Sequence, residues 1–69
     1  MIKKMRIYTN KVKYYRNQMK FTQAELADKV DVSRNTISSI ERQEYIPSVI
    51  VALKISKALG IPVEELFIC

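Results

Sequence analysis

Two hydroxyl caps, eleven residues apart, constrain this chain more than anything else in it. Thr22-Gln23-Ala24-Glu25 is a capping box. The Thr22 hydroxyl can accept from the Glu25 N–H while the Glu25 carboxylate reaches back to the Thr22 N–H. Phe21 before the box and Leu26 within it are spaced as a hydrophobic staple. Asp31-Val32 then breaks the pattern, Asp tolerating the left-handed backbone better than most residues. Ser33 caps the next helix, residues 34–41. Two helices this short, joined by so tight a turn, must cross steeply. Ala27 is small where the second of them packs, and Val32 plugs the turn. Ile37 and Ile40 are that second helix's apolar stripe. Arg34, Asn35, Thr36, Ser38 and Ser39 leave it a hydrogen-bonding outer face.

The rest of the chain supplies three more helices. Asn10 is a good N-cap for a first one, with Val12, Tyr15 and Met19 as its inward stripe. Tyr15 is expected in the core and its neighbour Tyr14 at the surface. Pro47-Ser48 opens a fourth helix over residues 49–59, whose Ile50, Leu53, Ile55 and Leu59 give an apolar periphery wide enough for a central position. Gly60 ends it. Pro62 opens a last turn, residues 63–66, with Glu64 and Glu65 where the helix dipole favours acid. The fold expected is an all-α domain of five helices over residues 10–69, preceded by an extension, residues 1–9. Residues 2–8 alternate loosely as a candidate strand. The apolar end Leu66-Phe67-Ile68-Cys69 could pair with residues 5–8 within one chain or across a two-fold axis, and dimerisation is expected to use these ends and the last helix.

Composition removes most chemistry. The 69 residues include no His and one Cys, Cys69, so there is no Cys/His zinc site, His-based triad or internal disulfide. One Gly excludes a glycine-rich phosphate loop. An enzyme is not expected, nor are a cofactor, a metal or a small-molecule ligand. No apolar run approaches the roughly 20 residues of a membrane span, and the basic N-terminus lacks the apolar stretch of a signal peptide. The expected compartment is the cytoplasm. The net charge of +5 is unevenly spread: residues 1–20 carry seven bases and no acid, residues 21–69 five bases against seven acids. A basic third on a near-neutral body suits a polyanion, either nucleic acid or an anionic membrane, or else a solvated face.

At its motifs the sequence resembles the Cro/repressor-like (XRE-type) helix-turn-helix DNA-binding proteins, most of all their short, single-domain prokaryotic members. The stretches that carry the likeness are Phe21-Thr22-Gln23-Ala24-Glu25-Leu26-Ala27, Val32-Ser33-Arg34-Asn35-Thr36-Ile37-Ser38, Ile40-Glu41, Pro47-Ser48, Ala52-Leu53-Lys54-Ile55-Ser56-Lys57-Ala58-Leu59-Gly60 and Glu64-Glu65-Leu66-Phe67. The resemblance implies a transcriptional regulator, a repressor by expectation. It would bind double-stranded DNA at a near-palindromic operator as a homodimer, with its third helix in the major groove. It implies base contacts for Arg34, Asn35 and Ser39, with short Ser38 letting the helix lie close, and a phosphate contact for Gln23. Lys11, Lys13 and Arg42 are expected at phosphate on their charge. Arg16 and Glu41 match a pair that typically forms a buried salt bridge. Lys20, Asp31 and Gln43 stand where the family often has glycine, and Glu44 lies in a loop that often nears phosphate. An antitoxin or other protein-interaction module on the same fold is the alternative.

Overall fold

The computed structural model describes residues 9–68. Three of its five helices start at a hydroxyl cap. α1 (Val12–Gln18), α2 (Gln23–Val30), α3 (Arg34–Glu41), α4 (Val49–Leu59) and α5 (Val63–Leu66) follow one another between two short strands, β1 (Thr9–Asn10) and β2 (Phe67–Ile68). Thr22 Oγ1 accepts from the Glu25 N–H at 3.0 Å, and Glu25 Oε1 accepts from the Thr22 N–H at 2.8 Å. Ser33 and Ser48 accept from Thr36 and Val51 at 3.1 and 3.2 Å. A cap of this kind contributes about 1 kcal/mol. Asn10 lies one residue ahead of the N-cap position of α1, which Lys11 occupies, and its Oδ1 still accepts from the Val12 N–H at 3.2 Å.

Four helix ends share one device. Lys20, Asp31, Gln43 and Gly60 have φ between 62° and 70°. Each left-handed residue lets the following N–H turn back to a carbonyl five residues earlier: Phe21 to Arg16, Val32 to Ala27, Glu44 to Ser39 and Ile61 to Ser56, at 2.9–3.2 Å. These are Schellman closures, which satisfy carbonyls a helix end would leave bare. Only Gly60 reaches this conformation without a Cβ.

The core is one cluster drawn from every helix: Val12, Leu26, Ala27, Val30, Ile37, Ile40, Ile55, Leu59 and Leu66. Each fully buried aliphatic side chain contributes about 1.5–3 kcal/mol of transfer free energy. Tyr15, Phe21 and Val32 pack against the cluster half-buried, and Tyr14 is exposed. Three apolar residues expected inside are outside. Met19 is 47% exposed because α1 stops at Gln18 and the chain turns there. Ile50 and Leu53 are 60% and 49% exposed. At 100° per residue they lie on the side of α4 opposite Ile55 and Leu59, and only the latter stripe meets the core.

The two ends of the described residues pair with each other. β1 and β2 run antiparallel with Thr9 opposite Ile68 and Asn10 opposite Phe67. The Lys11 N–H donates to the Leu66 carbonyl at 2.8 Å, and Phe67 packs half-buried on the core. The candidate strand at residues 2–8 lies outside the described residues, as does Cys69.

Candidate nucleic-acid interface

α3 is divided lengthwise. Ile37 and Ile40 are fully buried, while Arg34 and Asn35 are exposed and Ser38 and Ser39 half-buried. With Arg42, the C-cap, these four span an arc of roughly 140° around the helix axis at 100° per residue. No carboxylate lies in that arc. The helix is firmly started: the Ser33 hydroxyl holds the Thr36 N–H and meets the Thr36 hydroxyl at 2.9 Å. Asp31 in the left-handed region and the Val32-to-Ala27 bond make the turn that sets α3 across α2.

An ion pair fixes α3 from behind. Glu41 accepts at both oxygens from one guanidinium, at 2.7 Å from Arg16 Nε and 3.2 Å from Nη2. The side chains are only 10% and 3% exposed. Arg16 Nη1 donates onward to the Phe21 carbonyl at 2.8 Å, and Gln23 Nε2 donates to Glu41 Oε1 at 3.1 Å. All three guanidinium nitrogens and both carboxylate oxygens have a partner, the condition under which a buried charge pair is tolerated. Three helices are joined: Arg16 from α1, Gln23 at the first position of α2 and Glu41 at the end of α3. Gln23 is thereby held half-buried beside α3.

The remaining cations are less collected. Lys11 and Lys13 are exposed at the start of α1. That end of α1 is tied to the far end of α3 through Asn10, whose Nδ2 donates to the Ile40 carbonyl at 2.8 Å and whose N–H donates to Gln43 Oε1 at 3.4 Å. Arg42 is exposed and already engaged. It donates to the Ser38 hydroxyl and, at 3.0 Å, to Glu44 Oε1. The hydrogen bond and charge of Arg42 hold the Glu44 carboxyl below its ordinary range, and Glu44 raises Arg42 in return. The Asn10 bridge was not anticipated from the sequence. It joins residues thirty apart, and no local pattern signals it. Among the described residues no cluster of His, Cys, Asp or Glu could hold a metal ion, and no helix is long and apolar enough to cross a membrane.

The helix-turn-helix family model matches residues 12–66, from the first residue of α1 to the last of α5. The chain belongs to the helix-turn-helix family. An uncharacterised HTH-type transcriptional regulator of the archaeon Methanocaldococcus jannaschii is 49% identical over 59 residues, 86% of this chain and 89% of that relative. Among solved structures, this helix-turn-helix domain superposes on the P22 c2 repressor bound to a synthetic operator with a TM-score of 0.76 and 35% identity. The match covers 78% of this chain and 82% of the repressor. SinR of Bacillus subtilis, a master regulator of biofilm formation, solved in complex with DNA, gives a TM-score of 0.73 and 34% identity, covering 78% and 87%. The helix-turn-helix protein described here is thus a transcriptional regulator with a repressor-like DNA-binding fold, not an enzyme.

Proposed function

We propose that this regulator represses transcription by reading a near-palindromic operator as a homodimer, in the cytoplasm, with α3 in the major groove. The observation that carries the reading is the polar outer face of α3, Arg34, Asn35, Ser38 and Ser39, on a helix locked from behind by Arg16 and Glu41. Arg34 can donate two hydrogen bonds to guanine O6 and N7, and Asn35 can both donate to and accept from adenine. Ser38 and Ser39 are short enough to let the backbone approach the base edges. Gln23, Lys11, Lys13 and Arg42 meet phosphate, which fixes register without reading sequence. Likeness to two DNA-bound regulators supports this assignment. Selection of bound duplexes from a random pool tests it. The expected product is an enriched near-palindrome whose half-sites lie about 34 Å, one DNA turn, apart. A pool that shows no enrichment refutes the reading.

A further inference from the structure

One side chain grips the end of α3 from outside it. Asn10, the last residue of β1, donates from Nδ2 to the Ile40 carbonyl at 2.8 Å and from its N–H to Gln43 Oε1 at 3.4 Å. The two acceptors stand on either side of Glu41 and Arg42, so Asn10 holds the last turn of α3 at both flanks of its C-cap, Arg42. Neither the helix end nor the helix start requires this. The Ile40 carbonyl already accepts from the Gln43 N–H at 2.9 Å. The start of α1 uses only Oδ1, which accepts from the Val12 N–H at 3.2 Å and which a serine hydroxyl could replace. What the Nδ2 bond adds is position.

The groups it positions are cations. Lys11 follows Asn10 directly and Arg42 lies between the two gripped residues, and both are exposed. One asparagine thus sets how a cation at the start of α1 lies relative to a cation at the end of α3. The ion pair of Arg16 with Glu41 also joins these helices, but a single attachment is a pivot. Lys11 lies five residues ahead of Arg16, about 7–8 Å along the axis, so a swing of ~20° about the ion pair would carry its backbone by roughly 2–3 Å. Asn10 is the second attachment, and it removes the swing. Phosphates along a duplex stand at fixed spacings, and cations already held at one separation meet them with less ordering to be done on binding.

We propose that Asn10 is a positioning residue for DNA binding: through Ile40 and Gln43 it holds Lys11 and Arg42 in the register at which both meet the phosphate backbone. The proposal rests on the phosphate contacts read above and adds the residue that aligns them. Fluorescence anisotropy of the full chain on a random-sequence duplex tests it, over a series of salt concentrations and below the onset of melting of each variant. Asn10→Ser keeps a hydroxyl for the Val12 N–H, changes no charge and is too short for the Ile40 carbonyl. It should lower the salt slope by roughly one to two units, as if charges had been removed. Lys11→Ala should lower the slope by about one unit in wild type and by less in Asn10→Ser, and the two substitutions together should weaken binding by less than the product of their separate fold-losses. A role in stability alone would reduce the folded fraction and leave the slope as it is. If Asn10→Ser does not stay folded, Gln43→Gly decides by the same readout, since glycine suits the left-handed backbone there and removes the second acceptor. An unchanged slope in the variant, with wild type bound, overturns the positioning role and leaves the DNA reading standing. Wild type that binds no duplex at any salt overturns the DNA reading and this inference with it.

Discussion

Removing Glu41 should nearly unfold the protein, and removing Arg16 with it should rescue most of the loss. Glu41 is 3% exposed at its side chain and accepts three hydrogen bonds, two from Arg16 and one from Gln23. In Glu41→Ala the Arg16 guanidinium keeps its charge and its burial but retains only the Phe21 carbonyl as a partner. Stranding one member of such a pair costs about 3–5 kcal/mol. A chain of this length has roughly 3–10 kcal/mol in all. The melting temperature should therefore fall by about 12–40 °C. The double variant Arg16→Met, Glu41→Leu strands no charge. It gives up the bond to the Phe21 carbonyl, a loss of about 1 kcal/mol, and the bond from Gln23, which is exposed enough to turn to water, and should melt within several degrees of wild type. Thermal unfolding followed by circular dichroism on the three proteins decides the matter. A Glu41→Ala curve that overlays wild type would show the pair to be energetically idle. A double variant as unstable as the single would show that lost packing, not the stranded charge, causes the damage.

Three further predictions concern the proposed reading face and the helix ends. Arg34→Ala should lose about 1–3 kcal/mol on the selected site and relax one base preference, whereas Lys13→Ala should weaken all DNA alike and reduce the salt slope by about one unit; isotherms on selected and random duplexes separate the two. Glu44→Gln should tighten binding to any DNA and steepen the salt slope by about one unit, because it frees Arg42 and removes a carboxylate that, held below its usual range, stays charged at neutral pH. An unchanged slope would mean that Arg42 does not face phosphate. Lys20→Gly should stabilise by about 0.5–1 kcal/mol by relieving a left-handed Cβ, with Asp31→Gly gaining less because aspartate tolerates that backbone better; melting curves with no gain at Lys20 would refute the strain.

The starts of α2, α3 and α4 are legible in Thr22, Ser33 and Ser48, because a hydroxyl acts on an N–H three residues away and needs no tertiary partner. The buried stripe of α3 is equally plain, since Ile37 and Ile40 are its only apolar residues. α4 is different. Ile50, Leu53, Ile55 and Leu59 surround much of the helix, and periodicity does not say which side meets the core. Met19 shows the same limit at a helix end: its spacing fits a stripe that the turn at Lys20 cuts off. On the outer face of α3, sequence alone reveals which side chains are polar and outward. It does not reveal that Arg42 spends its donors on Ser38 and Glu44, nor that Asn10 binds the Ile40 carbonyl, because those partners are chosen by how the helices cross.

The ladder between Thr9 and Ile68 joins positions at opposite limits of the described chain. The starts of α2, α3 and α4 and the ends of α1 to α4 are closed by bonds within a few residues, so those pieces can form locally. The two-residue ladder must wait until the whole helical body has shortened the distance between its strands, since closing so long a loop earlier loses the most entropy. It is therefore the last pairing to assemble and, with so few bonds to break, the first to open. The described chain should therefore assemble from its helices outward and open first at this ladder.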